Sequence, residues 1–122
     1  MTLDYLDFDY SEDTEGIGVF DAMATVGPRH IAAVRAEIEQ VLAWAHDTFR
    51  GSRGAVGEGG EWDYDLQGMQ ETSVPELLEF NEDTRELRVR AGPAGEPRHT
   101  VTIAISGTPD FCAMFREQFE LA

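Results

Sequence analysis

The 122-residue sequence has no lysine, a single cysteine and no long hydrophobic run. One cysteine cannot form an intramolecular disulfide, so a disulfide-stabilised secreted scaffold is excluded. Apolar runs such as 41–45 are far shorter than the ~20 residues of a membrane-spanning helix, so we expect no membrane segment. The nine basic residues are all arginine. So few cations argue against direct nucleic-acid binding of the usual basic kind.

Acidic residues dominate the charge of the chain. There are 24 of them, and the formal net charge is -15. A chain of this length buries roughly 65% of its unfolded surface, and we predict one domain over 1–122. The first residues are acidic where a signal peptide is basic, so we expect a cytoplasmic protein. Two explanations of the acidity stay open, a high-GC genome that replaces lysine by arginine and adaptation to high salt.

Hydrophobic periodicity predicts an α+β fold. Apolar residues alternate with acidic or polar residues at 6–10 and 62–67, as in half-buried strands, and both faces of 17–26 are mostly apolar. A 3.6-residue repeat predicts a helix over 28–49, and Thr108-Pro109-Asp110 is typical of the start of a second helix. Further strands are expected at about 78–80, 87–90 and 100–106. The prediction is an antiparallel sheet of five to six strands with two helices packed on one face, in the order ββα-ββββ-α.

A glycine-rich segment at 51–60 contains five glycines and is predicted to be a flexible loop. It follows a helix and lacks the Gly-Lys-Ser/Thr ending of a phosphate-binding loop. A plain mobile connection and a lid over a ligand are the two alternatives.

The strand alternation also predicts a charged sheet face. The residues expected to face the helices are Leu6, Phe8, Trp62, Tyr64, Leu66, Leu87, Val89, Val101 and Ile103. If these apolar residues face the helices, the opposite face carries the charged residues between them. These are Asp7, Asp9, Asp63, Asp65, Arg88 and Arg90. Such a face is either simply solvated or a docking surface for a basic protein partner, since clustered like charges speed association with a patch of opposite charge.

The sequence holds no pattern that indicates catalysis or a metal. The three histidines lack metal-ligand spacing, and there is no Cys-x-x-Cys motif. Ser106 lacks the glycine of a nucleophile elbow, and Cys112 falls on an apolar helical stripe where a buried, unreactive thiol is expected. We therefore predict no cofactor, no metal and no catalytic residue.

One local feature is unusual. Arg29 and His30 fall in the first turn of the predicted long helix, where the helix dipole disfavours cations. Free backbone N–H groups at a helix start attract anions, so these residues form a candidate site for a carboxylate or phosphate. The alternative is that Arg29 pairs with a carboxylate of the protein itself.

Three function classes follow. The first is a non-enzymatic interaction module, inhibitor-, immunity- or adaptor-like, that binds another macromolecule through the exposed sheet face. The second is a small-molecule or anion-binding protein or enzyme, with a pocket between the sheet and the long helix near Arg29, His30, Trp62 and Tyr64. The third is a homodimer subunit joined through the outer face of Ile17, Val19 and Met23.

Overall fold

The computed structural model describes residues 1–121, which form six strands, two α-helices and one short 3₁₀ helix. The strands are β1 (Asp9–Glu12), β2 (Gly18–Val26), β3 (Trp62–Glu71), β4 (Glu76–Asn81), β5 (Glu86–Ala91) and β6 (Arg98–Gly107). The helices are α1 (Ile31–Thr48), α2 (Pro109–Gln118) and the 3₁₀ turn Val56–Glu58. The predicted α+β class, with two helices and antiparallel strands, is confirmed.

Four strands form an antiparallel sheet in the order β1-β2-β6-β3. The central strand β6 pairs along its whole length with β3 and along nearly all of it with β2. Apolar residues alternate along it with small or polar ones, and Val101, Ile103 and Ile105 are buried on one face. Such alternation is typical of a strand with one covered and one open face.

Both helices contribute to the core on that covered face. The buried stripe of α1 consists of Ile31, Val34, Ile38, Val41 and Ala45, and α2 adds Phe111, Cys112 and Phe115. A close approach fixes the start of α2, because a Cβ at Gly107 would overlap the Phe111 ring. The sheet therefore has helices on one side and an open face on the other.

The long helix begins later than the periodicity predicts. Its first helical residue is Ile31 and His30 is its N-cap, so Pro28 to His30 form a turn before the helix. The predicted cap of α2 is confirmed, because the Thr108 hydroxyl accepts a hydrogen bond from the Phe111 N–H.

The predicted sheet of five to six strands is wrong in one respect. β4 and β5 pair only with each other and form a separate two-stranded hairpin, here called the arm. Two backbone bonds, Gly92 N–H to the Pro75 carbonyl and Gly95 N–H to the Ser73 carbonyl, join the segments leading into and out of it. The arm thus continues the β3–β6 ladder beyond the body of the protein. It extends for about 20 Å, given the rise per residue of a strand.

A buried glutamate holds the N-terminal segment. Both carboxylate oxygens of Glu37 on α1 accept hydrogen bonds from the backbone N–H groups of Asp4, Tyr5 and Leu6, at 2.9–3.1 Å. Leu6 is buried in the core directly after this contact. The contact therefore fixes the chain that leads into β1.

The glycine-rich segment is hydrogen-bonded at both ends. Gly54 N–H donates to the Trp62 carbonyl, and Glu61 N–H donates to the Ser52 carbonyl.

Within residues 1–121, neither helix has the length and apolar character that crossing a bilayer requires.

Candidate functional site

The open face of the sheet is built by residues that alternate with the buried ones. Because Phe20, Ala22 and Ala24 of β2 are buried, the residues between them must point to the other side. The same alternation operates in β1, β3 and β6. The resulting open sheet face comprises Asp9, Ser11, Val19, Asp21, Met23, Thr25, Asp63, Asp65, Gln67, Met69, Thr100, Thr102, Ala104 and Ser106.

Three aspartates share one row across this face. Asp9 is the direct register partner of Asp21, which pairs with Ala104, which in turn pairs with Asp65. Like charges directly opposite on adjacent strands destabilise a sheet, and Asp65 lies about 10 Å from Asp21 across one intervening strand. The row therefore concentrates negative charge on the face. The small side chain of Ala104, which lies between Asp21 and Asp65, does not cover these carboxylates.

These three carboxylates form no ion pair with any of the described residues. The Asp65 side chain accepts a hydrogen bond from Gln67 Nε2 at 3.1 Å. Arg53 is paired with Asp63, two residues before Asp65 on β3, and Arg98 stands opposite Glu71 at the far end of β6. Six residues separate it from Ala104, a distance of about 20 Å along the strand.

Asp63 differs from the row because it has a cationic partner. Arg53 Nε lies 3.0 Å from Asp63 Oδ1, and the Arg53 guanidinium lies over the Tyr64 ring at 4.5 Å. Both partners of this pair are partly exposed, and such surface pairs contribute little to stability. Their effect is to neutralise one corner of the face.

Small residues in the central strand make the face slightly concave. Ala104 and Ser106 lie between larger neighbours and form the floor of a shallow depression of about 210 Å³. Its walls are Val19, Asp63, Tyr64 and Asp65. A depression of this size accepts one side-chain group of a partner, whereas drug-sized ligands occupy pockets of about 300–1,000 Å³.

The two arginines that were predicted to lie on this face are found elsewhere. Arg88 and Arg90 are on β5 of the arm, and so are Leu87 and Val89, which were expected to face the helices and are instead exposed. Leu66 was expected to be buried and is 42% exposed. It lies on the edge strand β3, where a groove separates the sheet from Arg35 and Ile38 of α1. The expectations of exposed Asp9 and Asp65 and a buried Val101 are confirmed.

Asp21 belongs to the row, although the predicted acidic face did not include it. Alternation alone places it on the outer face of 17–26, between Val19 and Met23. Asp7, which was predicted to lie on this face, is exposed but precedes β1.

Trp62, expected to line a pocket, is fully buried. Its ring stacks on Phe111 at 5.6 Å and on Tyr64 at 5.9 Å, and its indole N–H has no hydrogen-bond partner among the described residues. A groove of about 450 Å³ does lie between α1 and the sheet. It is lined by Arg35, Ile38, Glu39, Leu66, Gln67, Gly68 and Val101, and thus by neither Trp62 nor His30.

Arg29 and His30 occupy the turn before α1 and are exposed. His30 Nδ1 and the Tyr5 hydroxyl share a hydrogen bond of 3.1 Å, whereas Arg29 forms no ion pair within residues 1–121. The expected internal carboxylate partner of Arg29 is therefore not found.

Cys112 is buried, as expected of a core thiol, and its Sγ donates to the Gly107 carbonyl at 3.4 Å. Burial raises the pKa of this thiol, with a smaller opposing contribution from the Gly18 backbone, which hydrogen-bonds to the sulfur and favours the thiolate. A raised pKa lowers the fraction of reactive thiolate.

No group of three His, Cys, Asp or Glu side chains in the described part of the chain is placed to hold a metal ion.

No family model, curated protein or solved structure matches this chain.

Proposed function

We propose that the protein is a non-enzymatic interaction module that binds a basic partner protein through the open sheet face. The observation that carries the proposal is the row of Asp9, Asp21 and Asp65, three carboxylates that form no ion pair with any described residue. A guanidinium or ammonium group seated on the row would relieve the repulsion between Asp9 and Asp21. Arginine suits such a site best, because its planar fork can bind two carboxylate oxygens at once.

The shape of the face supports the same proposal. A strand-built surface is rigid, and the depression beside the aspartate row holds about 210 Å³. A flat acidic surface favours a macromolecular partner over a small substrate, which needs an enclosing pocket. The net charge of -15 adds long-range attraction that accelerates encounter with a basic protein and weakens as salt is added.

A fluorescent arginine-rich peptide is the direct probe. The double substitution Asp21→Asn/Asp65→Asn removes two charges from the row, and we expect it to weaken binding by about tenfold or more in fluorescence anisotropy, since each tenfold change corresponds to 1.4 kcal/mol. The matched control Asp47→Asn/Glu58→Gln removes two exposed charges away from the face and should change the affinity less than twofold. Equal losses in the two variants would show that net charge alone binds the peptide and would overturn the proposal.

The groove between α1 and β3 favours a second candidate function, the binding of a small apolar ligand. Its volume of about 450 Å³ is in the range of ligand sites, and Arg35 and Glu39 stand at its rim. A Cβ at Gly68 meets no atom within 4 Å, and Gly68 lines the groove, so Gly68→Phe is the variant chosen to fill it. Binding of a hydrophobic dye that is lost in Gly68→Phe and retained in Asp21→Asn/Asp65→Asn would favour this function over the first.

A further inference from the structure

Strand β3 has one edge that is largely unpaired. It is the last strand in the order β1-β2-β6-β3, so only its inner edge pairs with another strand of the sheet. Segment 52–54 covers the outer edge at its start, where Arg53 forms a bridge with Trp62 and the Gly54 N–H donates to the Trp62 carbonyl. Beyond this contact, no strand within residues 1–121 pairs with the outer edge of β3.

Alternate residues of β3 direct their backbone groups to this outer edge. In an antiparallel ladder, the residues of one strand bond in turn to one side and then to the other. The Trp62 carbonyl bonds to Gly54 on the outer side, so Leu66, Gly68 and Gln70 also point their N–H and C=O groups outward. These groups form a row to which a further strand can hydrogen-bond.

The features that usually protect an edge strand are missing from β3. Edge strands are typically short, or carry lysine, proline or a bulge that prevents a further strand from pairing. β3 has ten residues, with no proline and no basic residue, and its register with β6 runs without a bulge from Trp62 to Glu71. Its charged residues are all acidic, namely Asp63, Asp65 and Glu71. Such an edge repels an acidic strand but attracts a basic one.

An apolar groove borders the same edge on the helix side of the sheet. Leu66 and Gly68 of β3 line it together with Ile38 of α1 and Val101 of β6. A strand added beside β3 points every second side chain to this side of the sheet. Those side chains would enter the groove, which holds about 450 Å³, and cover Leu66. A large side chain opposite an edge glycine such as Gly68 also stabilises a strand pair.

We propose that an extended segment of the basic partner adds to this four-stranded sheet as a further strand beside β3, with arginines that alternate with apolar residues. This inference rests on the proposed function, since it takes the partner to be basic, and it adds how the partner's backbone is bound. Residues opposite Asp65 and Gln67 share the open sheet face, where basic side chains meet the Asp65 carboxylate. Residues opposite Leu66 and Gly68 share the helix side, where apolar side chains enter the groove.

Charge and polarity match on each face of the added strand separately. On the open sheet face, Asp65 forms no ion pair with any described residue. On the helix side, Ile38 and Leu66 are apolar, and Arg35 and Glu39 at the rim have opposite charges. A segment that is basic throughout would place charges in the groove, and a segment that is apolar throughout would leave Asp65 without a cation. An alternating segment fits both faces.

A second copy of this chain is a less favourable occupant. The two edge strands of its sheet, β1 and β3, carry acidic residues and no basic one, so pairing either of them with β3 brings like charges together. Strand β5 does alternate Leu87 and Val89 with Arg88 and Arg90. It belongs, however, to a copy with the same net charge of -15, and long-range repulsion opposes the encounter.

A fluorescent peptide that alternates arginine with phenylalanine and valine is the probe. The matched control peptide has the same side chains and charge, but it carries backbone N-methyl groups on the residues whose N–H groups would bond to β3. Main-chain hydrogen bonds supply much of the affinity in strand addition, so we expect the control peptide to bind at least about tenfold more weakly. Equal affinity of the two peptides in fluorescence anisotropy would overturn strand addition and leave the proposed function in place.

Gly68→Pro tests the same hydrogen bonds from the protein side. Proline is tolerated in an edge strand where its nitrogen faces solvent, and a Cβ at Gly68 meets no atom within 4 Å. Gly68→Ala is the matched control, because it keeps the N–H. We expect Gly68→Pro to weaken binding of the alternating peptide by about tenfold and Gly68→Ala to weaken it by less than about threefold. Equal effects of the two substitutions would count against strand addition.

The double variant Asp21→Asn/Asp65→Asn separates this inference from the proposed function in the same assay. Wild-type affinity of the double variant for the alternating peptide, with the N-methyl effect retained, would overturn the aspartate row as the binding site for basic groups. It would also remove the reason for choosing a basic segment.

Amide hydrogen exchange in the wild-type protein tests the contact even if Gly68→Pro does not fold. Strand addition predicts that the N–H groups of Leu66 and Gly68 exchange at least about tenfold more slowly with the alternating peptide bound. The Gln67 N–H, which faces β6, is the internal reference. Unchanged exchange at Leu66 and Gly68 under saturating peptide would contradict the inference. A dimer in sedimentation velocity that the peptide dissociates would show that a second copy occupies the edge, and would overturn the choice of a foreign partner.

Discussion

Replacing Glu37 by alanine should cost more stability than any other change to a charged side chain of α1. The Glu37 carboxylate binds three backbone N–H groups, and hydrogen bonds to a charged group contribute about 1.5–3 kcal/mol each. Water can reach the partly buried N–H groups of Asp4 and Tyr5 after the change, but the Leu6 N–H is buried and would remain unsatisfied. We therefore expect Glu37→Ala to lower the free energy of unfolding by about 3–5 kcal/mol.

Equilibrium urea denaturation measures this loss. With a typical slope of 1–3 kcal/mol per molar urea, the midpoint should fall by about 2 M. Glu39→Ala is the control, because Glu39 lies two residues away on the same helix and is exposed, and its effect should stay within about 0.5 kcal/mol. Hydrogen exchange of the amides of residues 4–6 should accelerate in the Glu37 variant alone. A Glu37→Ala protein within 1 kcal/mol of the Glu39→Ala control would refute the reasoning.

Two further predictions concern the packing of β6 and the environment of Tyr10. Gly107→Ala should destabilise by about 2 kcal/mol or more, because its Cβ would overlap the Phe111 ring; Gly68→Ala, with open space around it, should not, and thermal unfolding compares them. The pKa of Tyr10 is raised from 10.0 to about 12, first by its hydrogen bond to Glu12 and then by burial. The folded state thus holds this proton more tightly, so the stabilisation is complete below pH 10.0 and is lost as the pH rises towards 12. Ultraviolet titration should show the pKa return towards 10.0 in Glu12→Gln.

Local patterns predicted the elements that lie over the core. The alternation at 100–106 and the capping residues at Thr108 and Pro109 each depend on neighbouring residues only, and the structure has β6 and α2 there. The start of α1 was predicted three residues early. A proline in the first position of a helix and a proline in the turn before a helix give the same local sequence pattern. Here the Pro28 segment forms that turn instead.

The arm could not be predicted in the same way. Leu87 and Val89 alternate with arginines just as core residues alternate with polar ones in β6. Alternation states which residues share a face, but not which other layer covers that face. The connecting segments 72–75 and 92–97 carry the arm away from the helices, and this depends on backbone geometry that side-chain period does not encode.

Only part of the candidate site could be predicted, because alternation within one strand does not show which strands lie side by side. Residues of one strand, such as Asp63 and Asp65, could be assigned to a common face. The order and register of the strands could not be predicted, so the direct pairing of Asp9 with Asp21 is known only from the structure. The role of Glu37 depends on a contact with residues more than thirty positions away, which no local pattern reveals.

Residue-level mapping by ¹⁵N NMR tests the central claim most directly. An unlabelled arginine-rich peptide is titrated into the labelled protein at low salt, and the backbone shifts are followed. The account predicts that the largest shifts cluster on β1, β2, β3 and β6 around Asp9, Asp21, Ala104 and Asp65, and that they vanish in Asp21→Asn/Asp65→Asn. Shifts spread over all acidic segments, or concentrated on the helices, would contradict the assignment of the open sheet face as the binding surface.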